Sequence, residues 1–505
     1  MSRFSRLVFW STILLVFIMA ARISIDSDTW WHLRAGQWIF EHHHLPSTDP
    51  FSYTRQNAEW KYPGWLVEVP MYWIYFQLGP GGLNLFTAML VALTFGFVYQ
   101  TASGNPLLRA FVIILSAIAS AVYWSARPHL ITLLFTSIML YLLEFAGRSR
   151  DKSTNSWVLI GLPLMMWFWV NSHGGFLVGF IVWGIYLAGE VISTLTSKYI
   201  HWVAEKGCAE IGEGESRSTS NNSIKWFLEV GTGMFLLSLI NPLGIKIYFY
   251  PFQTVAIKSL QNYIQEWQTP NFHWISTQPF IWVTILLFAA LGFSNKKIKI
   301  TDFFIISIFF YLALIAGRNL ALFAVVTPPI ILKNLNEVGL SRDTFPFFNQ
   351  QSAKSFSPRT QNWINWGIFG VLLLGALVKV YTVFPAAVNE KAFRSQFPVD
   401  IVGHIKKLPV QGELFNSYNW GGYLLWALPE RKVFIDGRTD LYNDEIINEW
   451  LKVVQFKTGW EDVLKKWNIQ LVLMEKDWLG AQLLQLHGWC VIDQDELAVL
   501  LQRCQ

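Results

Sequence analysis

Long apolar stretches constrain the fold of this 505-residue chain more than any other feature. Each approaches the length that a helix needs to cross a bilayer, about 20 predominantly apolar residues. Charged residues make up only 14% of the chain, whereas soluble globular proteins carry about 25%. The pattern predicts a polytopic α-helical membrane protein with about eleven spans, near residues 7–24, 82–99, 106–123, 128–146, 156–170, 175–195, 225–240, 279–294, 302–316, 318–333 and 363–384.

A further apolar stretch, at residues 64–79, is short and contains Glu68 and Pro70. Basic loops favour the cytoplasmic side of a membrane, so they decide how this stretch is placed. A span at 64–79 would put the basic loop 148–152 outside, whereas a helix along the membrane surface puts every basic loop inside. We therefore predict an interfacial helix, a cytoplasmic N-terminus and an outward C-terminus. The basic segments are Arg3 and Arg6, 148–152, 296–299 and 334–362.

The N-terminal apolar run allows two interpretations. A cleaved signal peptide fits the basic residues that precede the run. An uncleaved first helix fits better, because no small-x-small cleavage site follows and many further spans do.

Polar residues that are costly at membrane depth gather in the loops of the outward face. The inward loops carry little beyond Lys, Arg, Ser and Glu. This asymmetry predicts an outward-facing polar site at the membrane surface. Its segments are DSDTWWHLR (26–34), EHHHLPSTDP (41–50), ARPH (126–129), NSHGG (171–175), IQEWQ (264–268) and GRN (317–319).

Two carboxylates, Asp26 and Asp28, begin this site directly after the first span. They are the candidate catalytic residues, because an outward carboxylate can act as a general base, and they are also the candidate metal ligands. In a helix that begins near Asp28, His32 shares its face, and N-capping alone is the alternative role for Asp28. Residues 42–44 are three histidines that either bind a metal with these aspartates or form a solvated loop. Asp49 sets a turn.

Arg127 and Arg318 are candidates for binding a lipid phosphate or diphosphate, because a guanidinium binds phosphate oxygens in a bidentate fork. Snorkelling to lipid headgroups is the alternative. Asn171 and His173 either line the site or satisfy exposed helix ends, and Glu266 is a second acidic candidate. The candidate substrate-binding residues are His32, Arg34, Arg127, His129, Asn171, His173, Glu266, Arg318 and Asn319.

The tail, residues 387–505, alternates strand-like and helical runs and predicts a soluble α/β domain on the outward side. Residues 1–386 form the transmembrane domain, in which 24–81 is the first outward loop with its interfacial helix. The segment FIDGRTDLY (434–442) ends an expected strand, and its aspartates and arginine either bind a ligand or form a turn. Cys490 and Cys504 pair only in an oxidising compartment, which the sequence leaves open. Residues 199–224 are an expected cytoplasmic loop.

The order of these features resembles the GT-C class of membrane glycosyltransferases, which includes protein O-mannosyltransferases and aminoarabinose transferases acting on lipid A. In that class an acidic outward loop follows the first span, and a His-Pro-Pro stretch lies along the membrane. Here the similar stretch KYPGWLVEVPMYWIYFQLG (61–79) has Tyr-Pro-Gly at that place. The chain also resembles a bacterial branch with a C-terminal extracytoplasmic α/β domain, through DTWWHLRAGQWI, STDPFSYT, RPHL, NSHGGF, IQEWQ, NSYNWGGYL and FIDGRTDLY.

This resemblance implies a bacterial inner-membrane enzyme that transfers a sugar from a polyprenyl-phosphate donor, with inversion, to an outward glycan, lipid or protein acceptor. It implies an aspartate of the first loop as base, a phosphate near Arg318 or Arg127, and a divalent metal in some members. The partners are then lipids and the acceptor, and no nucleic acid. A transporter for lipid-linked glycans and a non-catalytic scaffold are the alternatives. A transporter predicts polar groups through the midplane and inverted repeats, and the sequence shows neither.

Overall fold

The computed structural model describes residues 2–148, 152–205, 221–337, 357–408 and 412–504, and it is mostly helical. Parts of the expected cytoplasmic loops, at 149–151, 206–220 and 338–356, lie outside the described residues. The helices up to residue 383 are α1 Arg3–Ala20, α2 Ser27–His42, α3 Trp65–Thr101, α4 Pro106–Ser120, α5 His129–Arg148, α6 Lys152–Val170, α7 Leu177–Glu205, α8 Asn221–Ser238, α9 Tyr250–Val255, α10 Lys258–Tyr263, α11 Gln278–Phe293, α12 Ile300–Ile315, α13 Leu320–Val326, α14 Pro328–Glu337 and α15 Pro358–Val383.

Within the described residues, six helices are long and apolar enough to cross a membrane. They are Arg3–Ala20, Trp65–Thr101, Pro106–Tyr123, His129–Gly147, Gly174–Ser197 and Arg359–Val383. Three more expected spans correspond to shorter apolar helices, Ser156–Val170, Gln278–Phe293 and Ile300–Ile315. The prediction of a multi-pass α-helical membrane protein is therefore confirmed, while the total of eleven spans stays a prediction.

The interfacial stretch and the second expected span form one long helix, α3, with a break between them. Gly79 has a φ of 62° and a ψ of −163°, which are not helical values. Glycine accepts a positive φ without a steric penalty, and the following Pro80 offers no N–H to continue the helix across the break. The sequence boundary between 64–79 and 82–99 thus coincides with a real change of direction in the backbone.

The expected span at 318–333 is not one continuous helix. It consists of a short 3-10 turn at Gly317–Asn319, then α13, then α14. The break falls before Pro328, which cannot donate the backbone hydrogen bond that a continuous helix needs. All seven residues of α13 are buried, so this short helix lies in the centre of the bundle.

The tail folds into a small α/β unit. Its helices are α16 Ala386–Arg394, α17 Val399–Ile405, α18 Tyr418–Ala427, α19 Thr439–Val454, α20 Trp460–Lys466 and α21 Gly480–Leu486; its strands are β1 Glu413–Asn416, β2 Ile469–Glu475, β3 Trp489–Gln494 and β4 Ala498–Arg503. The sheet has the order β1-β2-β4-β3, with β1 parallel to β2 and the other pairs antiparallel. A disulfide joins Cys490 on β3 to Cys504.

The expected strand KVFIDG (432–437) is wrong: this segment joins no described strand of the sheet. Its backbone is satisfied by the first outward loop, because the Val433 N–H donates to Phe51 O at 3.2 Å and the Tyr53 N–H donates to Val433 O at 3.3 Å. The side chain of Asn416 holds the other edge, accepting from the Phe434 N–H and donating to Ile435 O. The first loop and the tail are thus parts of one packed structure.

Candidate active site

The beginning of α2 positions the two aspartates of the candidate site. Asp26 is the N-cap, since its Oδ1 accepts a hydrogen bond from the Asp28 N–H at 2.9 Å. The capping role considered for Asp28 therefore belongs to Asp26, because the helix begins at Ser27, two residues before the start that an Asp28 cap would give. The Asp28 carboxylate is left to face the interior of the site.

Arg127 joins three carboxylates that come from distant parts of the chain. Its Nη1 lies 2.9 Å from Asp28 Oδ2 and 3.4 Å from Asp26 Oδ2, and its Nη2 donates to Glu266 Oε2 at 3.0 Å. The Arg127 side chain is only 14% exposed. Because its terminal donors are directed at carboxylates, this arginine organises the acidic cluster.

The surroundings set the protonation of Asp28 and Glu266 in opposite directions. Burial raises the pKa of Asp28, the charge of Arg127 opposes that effect, and the carboxylates of Asp26 and Glu266 raise the pKa further, to about 7. Burial also acts to raise the pKa of Glu266, but the charges of Arg127 and Arg318 outweigh it and lower that pKa to about 2. Asp28 is therefore poised to exchange a proton near neutral pH, while Glu266 stays ionised.

Arg318 enters the site from the 3-10 turn Gly317–Asn319. Its guanidinium lies over the ring of Trp267, 4.2 Å from the centroid, and its Nη1 is 3.8 Å from Glu266 Oε1. The side chain is one quarter exposed, so its donors are less engaged than those of Arg127. The neighbouring Asn319 donates from Nδ2 to Leu312 O at 2.9 Å, which closes the end of α12.

A cavity of about 360 Å³ lies beside this cluster. Its polar and charged lining residues include Asp28, His32, Arg127, His129, His173, Glu266, Arg318, Asn319, Thr439 and Asp440. Helices α5, α7, α9, α12 and α13 supply apolar wall residues, which include Leu133, Val178, Ile181, Val255, Leu312 and Leu322. The cavity therefore suits a ligand with a polar, anionic end and an apolar chain.

A second cavity of about 370 Å³ lies against the same cluster. Arg127, His129, Glu266 and Tyr123 line both cavities, whereas Asp26 lines only the second and Asp28 only the first. The acidic cluster around Arg127 thus forms a shared wall between two chambers.

The three candidate histidines are held in distinct ways. His32 Nδ1 is 2.8 Å from Glu68 Oε1, and burial together with the charge of Arg127 lowers the pKa of His32 well below its usual value. His173 Nδ1 accepts from the Gly175 N–H and lies 2.8 Å from Thr132 Oγ1. His129 Nε2 donates to Tyr123 O at 2.6 Å, and within the described residues its buried Nδ1 has no partner. That nitrogen is free to accept a hydrogen bond from a ligand.

Two of the candidate substrate-binding residues line neither cavity. The half-buried Arg34 donates to Gln37 Oε1 at 2.8 Å within α2. Asn171 accepts from Trp65 Nε1 and donates to Trp167 O and Ile240 O, so it satisfies backbone groups at the end of α6. The histidines at 42–44 are exposed, which agrees with a solvated loop.

The candidate metal ligands Asp26 and Asp28 do not fit a metal site in their described arrangement. Both carboxylates face the guanidinium of Arg127, which already supplies the positive charge that a cation would bring. In the part of the chain that the structure describes, no group of three or more His, Cys, Asp or Glu side chains has the arrangement of a metal site.

Several residues that line the first cavity are not among those predicted from the sequence, above all Tyr62, Tyr123 and Tyr250. Neutral tyrosines in loops and helix ends carry no charge signal that separates them from interface aromatics. The segment FIDGRTDLY (434–442) was a candidate from the sequence, and its residues fall into two groups in the structure. Gly437, Thr439 and Asp440 line the cavity, while Asp436 and Arg438 form a buried ion pair at 2.7 Å.

No protein-family model and no curated protein matches the sequence. Among solved structures, the chain is similar to the Archaeoglobus fulgidus oligosaccharyltransferase in the apo form, with a TM-score of 0.55 and 12% identity over 92% of this chain and 69% of that one. It is also similar to ArnT from Cupriavidus metallidurans in the apo state, with a TM-score of 0.50 and 15% identity over 98% of this chain and 97% of that one. Both are GT-C glycosyltransferase structures.

At these identities the likeness concerns the fold. It extends over nearly the whole chain, and it agrees with the resemblance that the acidic loop and the stretch at 61–79 indicated. The chain therefore has the fold of the GT-C class of membrane glycosyltransferases.

Proposed function

We propose that this protein transfers a sugar from a polyprenyl-phosphate-linked donor to an acceptor outside the cytoplasm. The observation that carries the proposal is the composition of one cavity. A buried carboxyl group with a pKa near 7, a partly exposed arginine and a wall of apolar helix residues all line it. The GT-C fold supports sugar transfer over other reactions of a lipid-linked phosphate.

Arg318 binds the donor phosphate in this proposal. Its stacking on Trp267 fixes the guanidinium plane, and its contact with Glu266 is long, at 3.8 Å. A guanidinium held in this way presents two parallel donors to phosphate oxygens. The polyprenyl chain then follows the apolar wall formed by α7, α12 and α13.

Asp28 acts as the general base. It accepts the proton of an acceptor hydroxyl group, and the acceptor oxygen attacks the anomeric carbon from the face opposite the phosphate. The bond between the anomeric carbon and the phosphate oxygen breaks, and the lipid phosphate leaves with the bonding electrons. The configuration at the anomeric carbon of the transferred sugar is thereby inverted. Arg127 holds Asp28 in place, and Arg318 stabilises the charge on the leaving phosphate.

The arrangement in the membrane belongs to the same proposal. Eleven spans, a cytoplasmic N-terminus and an extracytoplasmic tail place the acidic cluster on the outer face of an inner membrane, with domains at 1–386 and 387–505. The Cys490–Cys504 disulfide supports an outward tail, because disulfides persist in oxidising compartments.

Native mass spectrometry of the gently extracted protein tests the donor site. We expect a co-purifying polyprenyl-phosphate species in the wild-type protein and its loss in Arg318→Ala. Arg34→Ala is the matched control, since Arg34 lies outside the cavity, and it should retain the lipid. Ordinary phospholipids alone in both the wild-type protein and Arg34→Ala would contradict a lipid-linked donor and favour a scaffold or a transporter.

A further inference from the structure

A short segment of the C-terminal tail enters the first cavity directly beside the proposed base. Gly437, Thr439 and Asp440 all line this cavity. Gly437 packs so closely that a Cβ atom placed on it would lie 1.8 Å from Asp28 Oδ1. Any side chain at this position would displace the carboxylate, so the tail contributes a wall at the reaction centre.

A buried ion cluster fixes this wall in position. Arg438 is fully buried and contacts Asp436 at 2.7 Å and Asp49, from the first outward loop, at 2.5 Å. The Tyr442 hydroxyl donates to Asp436 Oδ2 at 2.7 Å. The segment between these residues is thus held on both sides, and the side chains of Thr439 and Asp440 have little freedom to leave the cavity.

Asp440 has no role in the transfer step described above. Its Oδ2 accepts a hydrogen bond from the Tyr250 hydroxyl at 2.9 Å, and Tyr250 lines the same cavity. A carboxylate has about four lone-pair positions for hydrogen bonds, so the Tyr250 hydroxyl and the backbone N–H of Asp440 leave part of its capacity unused. Burial raises the pKa of Asp440, and hydrogen-bond donors of a ligand would offset the cost of burying its charge.

We propose that Asp440, supported by Tyr250 and Thr439, binds hydroxyl groups of the donor sugar, so that the C-terminal tail selects the sugar. This inference rests on the proposed function. A neutral sugar presents neighbouring hydroxyl donors that match a carboxylate. Asp440 lines the same cavity as the apolar wall and as Arg318, the proposed ligand of the donor phosphate. In the proposed reaction the donor sugar is attached to this phosphate, so the sugar that Asp440 contacts is the donor sugar and not the acceptor.

The test compares two probes, polyprenyl phosphate without a sugar and the same lipid carrying glucose. Each is titrated into the full-length protein in nanodiscs, and binding is measured by native mass spectrometry. The wild-type protein should bind the glucose-carrying lipid more tightly. Asp440→Asn should weaken that binding by about tenfold, the effect of lost hydrogen bonds to a charged group, and should leave the sugar-free lipid within about twofold.

Two further variants complete the design. Tyr250→Phe removes the supporting hydroxyl group and should weaken only the glucose-carrying lipid, by a smaller factor. Glu445→Gln removes a carboxylate of the same helix that is 62% exposed and outside the cavity, and it should bind both probes as the wild type does. Thermal unfolding of each variant checks that it is folded.

Two results would overturn the inference: equal binding of both probes by the wild-type protein, or unchanged binding of the glucose-carrying lipid by Asp440→Asn, whether or not that variant loses turnover. The first of these needs no variant, so the inference stays testable if Asp440→Asn does not fold. Failure of the proposed function looks different, because the wild-type protein would bind the glucose-carrying lipid selectively while no sugar lipid of a tested panel is consumed.

Discussion

Arg127 Nη1 lies 2.9 Å from Asp28 Oδ2, although 98 residues separate the two in the sequence, and this contact ties the first outward loop to the beginning of α5. Asp28 is thereby held between a cation and two other carboxylates. The contact explains why its pKa reaches about 7 and does not rise further, since the charge of Arg127 opposes the effect of burial. A base with this property works best near neutral pH.

The two aspartates of the first loop should differ in effect. Asp28→Asn should lower turnover by about 100-fold or more, the usual range for loss of a general base. The Asp26→Asn variant should be nearly as stable as the wild-type protein, because Asn caps a helix as well as Asp does. It should lower turnover less than Asp28→Asn does. Release of polyprenyl phosphate measured by liquid chromatography and mass spectrometry decides between them. A larger loss in Asp26→Asn would move the base to Asp26 and the second cavity.

The pH dependence of turnover should reveal the charges around Asp28. Asp28 must be ionised to accept a proton, so the rate should fall below about pH 7 in the wild-type protein. Arg127→Gln removes the charge that lowers the pKa of Asp28, so the acidic limb of the pH–rate profile should shift to higher pH. Glu266→Gln removes a charge that raises this pKa and should shift the limb to lower pH. Shifts of the two variants in the same direction would contradict Asp28 as the titrating base.

The buried ion cluster of the tail should dominate its stability. Arg438→Met leaves Asp49 and Asp436 buried without a cation and should cost about 3–5 kcal/mol in the free energy of unfolding. Lys465→Gln breaks an exposed pair with Glu461 and should cost less than about 1 kcal/mol. Thermal or denaturant unfolding of the full-length protein measures both. Equal stability of the two variants would show that the cluster does not hold the tail segment.

Labelling with a membrane-impermeant thiol reagent checks the proposed topology. Single cysteines at Asn57 and Glu445, in a background where Cys208 is Ser, should react in intact cells. A cysteine at Lys297 should react only after permeabilisation, because the basic loop at 296–299 is expected inside. All three positions are exposed, whereas Asp440 lines the cavity and is less suited to labelling. Reaction at Lys297 in intact cells would reverse the orientation.

The sequence by itself predicted the six long apolar helices and several of the segments that line the first cavity. The length of an apolar stretch depends on local sequence alone, and it determines whether a helix can cross a bilayer. The sequence therefore predicts α1, α3, α4, α5, α7 and α15. The cost of polar groups at membrane depth likewise made the segments around Asp28, Arg127 and Arg318 visible. The predicted stretches 64–79 and 82–99 also leave the break in α3 between them, where a glycine and a proline interrupt the helix through local backbone geometry.

Only the tertiary structure decided how these residues are arranged around the cavity. Whether Asp26 or Asp28 caps α2 depends on a shift of two residues in the helix start, which local sequence does not specify. The arrangement of Asp28, Arg127 and Glu266, and the entry of Gly437 and Asp440 into the cavity, depend on distances between segments far apart in the chain. Ion pairing, desolvation and hydrogen bonding act through space over a few ångströms, and only the packed fold sets those distances.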